Sequence, residues 1–304
     1  MLWRTARIAL RGILQGVGYL LAIVFVASVL SWLLVGWLEY EYLKVLSKSI
    51  QLVLVLSVIP LWRWLRLDFY AIGLEDWRAR VWLRWVGAGI VSLLPLILFF
   101  LVTGFRVLDN RVSILSLDFL VTVSTVVVGA FLVAVFEEIL FRGVLYTLFR
   151  RAWSVLMSAA GVSLLYAGVH FLRNEETLLT VGLFSGFTYL SKALLGLGAV
   201  AQDLGSFGTL FLLSLVLIWA RTQFNLWVCI ALHASWVLSI RMFKELTIRD
   251  IVNPFASWVG SYDNFIGPLA LFWLMFIVVL IRLYLQRRLN FFEPPGVSKG
   301  MRRQ

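Results

Sequence analysis

Residues 117–149 read LDFLVTVSTVVVGAFLVAVFEEILFRGVLYTLF. The stretch exceeds the ~20 residues that cross a hydrocarbon layer, so as a helix it emerges beyond the bilayer. Glu137, Glu138 and Arg142 lie well inside it. Charges at membrane depth are costly, and they mark function when they face a polar cavity.

Outward from this run, further apolar segments lie near 16–38, 44–62, 82–104, 152–171, 205–221, 225–243 and 265–287. The chain is 62% hydrophobic and only 14% charged, against about a quarter charged in soluble domains. The expected fold is all-α, a polytopic transmembrane helical bundle of about eight spans. Residues 1–290 read as one domain with its core at 115–245, followed by a polar tail, 291–304. Segment 172–204 mixes Arg173, Glu175 and Glu176 with apolar residues and glycines, the pattern of an interfacial or re-entrant helix.

The net charge of +11 does not point to nucleic acid, because the basic residues sit in short loops and tails between spans. Lipid headgroups and topology account for them. Their excess falls on the segments that an even number of spans puts with the two ends, so both termini are expected to be cytoplasmic. Arg4, Arg7 and Arg11 precede a first span too long for a signal-peptide core. Compactness and the lack of targeting signals suggest a bacterial inner membrane. The single cysteine, Cys229, allows no internal disulfide and no thiolate cluster.

On a helix Glu138 and Arg142 share a face, and an ion pair between them satisfies both charges. Glu137 is rotated about 100° away and stays available for proton transfer. A juxtamembrane charge cluster is the plainer alternative. Against it, Glu137 lies roughly 20 Å from the turn at Arg150–Arg151 by helical rise.

His170 and His233 are the only histidines, and both lie in apolar spans. Ser163, Tyr166, Ala167 and His170 fall on one helical face. Taken singly, a membrane histidine is more often a satisfied hydrogen-bonding residue than a catalyst. Two of them after a double-glutamate helix shift that balance. Their depths match that of Glu137 to within roughly 8 Å, which helix tilt can absorb.

Glu137-Glu138-x-x-x-Arg142 with His170 on the next span and His233 two spans further resembles the CAAX-protease and bacteriocin-processing family. These are glutamic intramembrane endopeptidases related to the type II CAAX prenyl endopeptidase. Softer echoes are Ile72-Gly73-Leu74, Arg221-Thr222 and Leu226-Trp227. The resemblance implies that Glu137 and His170 activate water and that His233 helps hold the oxyanion. Glu138 and Arg142 then fill the supporting motif positions. Two positions depart from the family: Tyr166 stands for a phenylalanine, and Val237 for an asparagine that can donate a hydrogen bond. Ser235 faces about 160° from Val237 on an ideal helix.

The expected function is therefore hydrolysis of a peptide bond in a membrane-associated or lipidated protein or peptide. The bilayer is the other partner, and neither cofactor nor metal is required. Alternatives remain. Glu137, His170 and His233 could instead ligate zinc in a metalloprotease. The Val237 departure suits a non-catalytic immunity or scaffold protein. A proton-coupled transporter is disfavoured by the lack of repeated halves.

Overall fold

A computed structural model of the chain describes residues 2–38, 40–64, 66–172, 181–250, 252–260 and 262–292. Eleven α-helices follow in order: α1 (Leu2–Leu38), α2 (Tyr42–Trp64), α3 (Phe69–Ile72), α4 (Ala79–Val102), α5 (Leu117–Glu137), α6 (Tyr146–Ala152), α7 (Val155–His170), α8 (Ser185–Leu195), α9 (Leu204–Gln223), α10 (Leu226–Glu245) and α11 (Pro268–Phe292). Each of the eight expected spans corresponds to a helix. Among the described residues, five helical stretches are long and apolar enough to cross a membrane: Gly18–Leu38, Ala79–Val102, Leu117–Ala152, Leu204–Gln223 and Leu226–Glu245. Val155–His170 and Pro268–Leu283 are shorter apolar helices.

The axis of the bundle is α10. Every residue from Val228 to Trp236 is buried, His233 included, as expected of a helix packed on all sides. It lies against α4, α5 and α9, while α7 and α11 flank α9 and the α1–α2 hairpin carries α8. Contact with α4 is close because of a small-residue crossing: a Cβ on Gly89 would overlap the Ser235 hydroxyl. Small residues allow such approach where helices lack a hydrophobic drive to associate. The outer faces stay apolar, with Leu94, Leu98, Leu120, Val121, Val128 and Leu132 all exposed. Water would penalise this surface; lipid does not.

Three helices that build the site begin at conventional caps. Ser116 accepts from Phe119 N at the start of α5, Ser154 from Met157 N at α7, and Asn225 from Val228 N at α10. Two short strands, β1 (Arg106–Leu108) and β2 (Thr247–Arg249), pair antiparallel with Val107 opposite Ile248. They tie the α4–α5 connection to the end of α10, and the buried Arg106 donates to Thr247 Oγ1 at 2.7 Å. Three-residue strands joined by such a long-range pairing leave no period-2 signal in the sequence.

One local feature differs from expectation. The long fourth span is not α-helical throughout, since Glu138–Leu145 is a π-helix between α5 and α6. Within 172–204, α8 is followed by a 3₁₀ turn, Gly196–Ala201. Arg173, Glu175 and Glu176 lie outside the described residues, as does the tail from 293. At roughly 16 Å of helical rise, α8 is too short to span. It docks on α1, where Ser28 Oγ donates to Leu183 O at 2.7 Å and accepts from Gly186 N at 2.8 Å.

Candidate active site

The π-helix begins at Glu138, immediately after Glu137, and carries Arg142. Short π segments inside α-helices are frequent at functional sites. Glu138 and Arg142 are both fully buried, with Arg142 Nη1 donating to Glu138 Oε1 at 2.9 Å. The same Glu138 oxygen holds His233 Nδ1 at 2.7 Å. The sequence reading gave Glu138 one partner; the fold gives it two. Nothing local signals the second, because His233 is 95 positions away along the chain.

Arg142 is further fixed by aromatic faces. Its Cζ stands 4.2 Å from the Tyr166 ring centroid and 5.9 Å from that of Phe141. Phe141 and Tyr166 meet edge to face at 5.1 Å. Cation–π and aromatic contacts of this kind partly offset the loss of water around a buried guanidinium.

His170 ends α7, and its Nδ1 lies 2.6 Å from the Tyr166 carbonyl of the preceding turn. A carbonyl can only accept, so Nδ1 carries the hydrogen and Nε2 presents its lone pair while the ring is neutral. The same logic applies to His233, whose Nδ1 faces a carboxylate paired with arginine. Both Nε2 atoms turn to one point: Glu137 Oε2 is 4.0 Å from His170 Nε2 and 3.9 Å from His233 Nε2. That oxygen has no hydrogen-bond partner in the protein. Glu137 is the most open of the three, with its side chain 28% exposed against 17% for His170 and 6% for His233. Glu137, His170 and His233 thus come together from α5, α7 and α10, with Tyr166, Glu138 and Arg142 packed behind them.

Residues 119–239 match the family model described as Type II CAAX prenyl endopeptidase Rce1-like. This segment is similar to the Rce1-like endopeptidases. It contains Glu137, Glu138, Arg142, Tyr166, His170 and His233, and it runs from the start of α5 through most of α10. No curated protein and no solved structure matches the chain. The Rce1-like family implies CAAX-type protease activity in general, at a membrane.

The softer sequence echoes also meet in space, at the start of α10. Arg221 Nη2 donates to Ala71 O and to Thr147 Oγ1, each at 2.9 Å. Leu226 N donates to Gly73 O at 2.7 Å, and the Trp227 indole donates to Leu74 O at 3.3 Å. Gly73 turns with φ +85°, in the left-handed region where a side chain is strained. This junction holds the α9–α10 turn against α3 and α6, and so fixes the start of the helix that delivers His233.

Ser235 is not available to the site. Its hydroxyl donates to Leu232 O at 2.7 Å and lies against Gly89. A tetrahedral zinc ion with bonds of 2.0–2.1 Å needs ligand atoms about 3.4 Å apart. The Glu137–histidine separations are longer, and no group of three or more His, Cys, Asp or Glu among the described residues is set to hold a metal ion. Two open grooves lie elsewhere, one lined by Tyr70, Glu75, Arg150 and Arg221 and the other by Leu34, Lys44, Lys48 and Tyr189. Neither is lined by the Glu137 cluster.

Proposed function

We propose that this protein is a glutamic intramembrane endopeptidase that cleaves a peptide bond in a membrane-associated or lipidated substrate. The observation that carries the proposal is the approach of His170 Nε2 and His233 Nε2 to within 4.0 Å and 3.9 Å of one Glu137 oxygen. One water bonded at about 2.8 Å spans separations of that size.

In this reading the water donates its two hydrogens to Glu137 Oε2 and His170 Nε2. Its oxygen attacks the scissile carbonyl carbon as one proton passes to Glu137. The carbonyl π bond becomes an oxyanion. Collapse of the tetrahedral intermediate breaks the C–N bond, and the departing amine takes the proton back from Glu137. His233 donates to the oxyanion through Nε2 only as an imidazolium, because its Nδ1 hydrogen is committed to Glu138. Glu138, held by Arg142, faces Nδ1 and fixes the ring in place. No step needs a metal.

The test uses the full chain in lipid nanodiscs and a quenched fluorescent peptide, with and without a C-terminal farnesyl-CAAX segment. Glu137→Gln should lower turnover by on the order of 10²-fold or more, and thorough chelation should leave the wild type active. Undiminished cleavage by E137Q overturns the proposal. Loss of activity on chelation, restored by zinc, favours a metalloprotease instead. A folded wild-type chain that cleaves neither peptide favours the non-catalytic reading that Val237 suits.

A further inference from the structure

His170 is the last residue of α7. Its Nδ1, 2.6 Å from the Tyr166 carbonyl, fixes one atom of the ring. The torsion that turns an imidazole about its stem is broad. A catalytic group has to be held within about 0.5 Å and 10–20° of its working geometry. The aim of Nε2 at Glu137 therefore calls for a further support.

Tyr262, on the connection between β2 and α11 and beyond the family match at 119–239, provides one. Its ring centroid lies 6.0 Å from that of His170 and 5.7 Å from that of Phe171, so one ring bridges the end of α7. Tyr262 is itself pinned. Its backbone N donates to Asp203 Oδ2 at 3.1 Å, while Asp203 Oδ1 caps α9 by accepting from Ser206 N at 3.0 Å. Asp203 is only 7% exposed, and a carboxylate with so little water needs such donors. The residues after Tyr262 are fastened as well. Ser206 Oγ donates to Ile266 O at 2.6 Å, Thr209 Oγ1 to Gly267 O at 3.0 Å, and Lys244 Nζ to Asp263 Oδ2 at 2.7 Å. Phe265 is buried against Phe100 and Phe243. An irregular stretch is thus tied to α9 and α10, and it sets an aromatic ring against His170.

We propose that Tyr262 is a positioning residue: pinned by Asp203, its ring holds the His170 imidazole with Nε2 turned to Glu137. The inference rests on the hydrolytic reading above.

The test uses the full chain and the peptides of the preceding section. Tyr262→Ala should lower kcat on the order of 10-fold with KM nearly unchanged. Tyr262→Phe, which keeps the ring, should stay within twofold of wild type. Asp203→Asn retains a good helix cap but offers one acceptor oxygen where the carboxylate uses two, so it should move kcat in the same direction as Y262A. A second readout needs no substrate. The chain has two histidines, so the imidazole Cε1–Hε1 NMR signals are assigned by their loss in H170Q and H233Q. Y262A should shift the His170 signal, by removing a neighbouring ring current, and leave that of His233 in place. Tyr262→Leu, apolar but without a ring, gives the same readings if Y262A fails to fold. Wild-type kcat in the ring-less variants overturns the positioning role. So does slow turnover with the His170 signal unmoved, or a Y262F as slow as Y262A. An active E137Q overturns the hydrolytic reading instead, and the His170 signal reports the Tyr262 contact in either case.

Discussion

Glu138 is the residue on which the site converges. One oxygen accepts from Arg142 at 2.9 Å and from His233 at 2.7 Å with no solvent exposure. Removing one member of a buried pair strands the other charge, which typically costs about 3–5 kcal/mol. Arg142→Met should therefore lower thermal stability strongly in detergent, measured by scanning fluorimetry, and more than a substitution at exposed Leu120. Glu137 should behave oppositely. Its Oε2 has no protein partner, so Glu137→Gln should leave the melting temperature within a degree or two of wild type while removing turnover. The pairing of Glu138 with Arg142 is legible in the sequence because four residues separate them on a helix. The bond from His233 is not, because no periodicity couples positions so far apart.

At the scale of elements, the π-helix over Glu138–Leu145 and the crossing of α4 with α10 set the site's geometry. Each π turn holds more residues than an α turn, so the segment changes how the side chains before and after it face one another. Reading the span as uniform α-helix places Glu137 and Glu138 on diverging faces. In the fold both glutamates reach His233, one through each ring nitrogen. The hydrophobic pattern hides the π segment, since lipid-facing and buried residues alike are apolar. The α4–α10 crossing depends on Gly89. Gly89→Leu should force the helices apart and reduce both activity and stability, whereas Gly87→Leu, where nothing lies within 4 Å, should be tolerated. Parallel measurements of cleavage and melting temperature check this. Equal behaviour of the two variants would remove the crossing from the account. Caps act more gently: losing the Asn225 cap of α10 in Asn225→Ala should cost ~1 kcal/mol.

At the scale of the molecule, the chain is a helical membrane bundle whose central helix is enclosed and whose outer helices offer apolar faces. It should remain in the pellet after an alkaline carbonate wash and leave it only with detergent. Reporter tags at the two ends should fall on the same side of the membrane, the cytoplasmic side by the distribution of Lys and Arg. Tags on opposite sides would refute the even span count. Membrane residence, helical class and most span positions follow from the sequence alone, and the sequence with its family resemblance singles out Glu137, Glu138, Arg142, Tyr166, His170 and His233 as candidate site residues. Insertion into lipid depends on runs of apolar side chains, and charges inside such runs stand out because each is costly there. The strand pair, the π-helix, the second partner of Glu138 and the approach of both Nε2 atoms to Glu137 were decided only in three dimensions. These depend on contacts between helices distant in sequence, where the physical signal is a meeting of surfaces and leaves no local pattern.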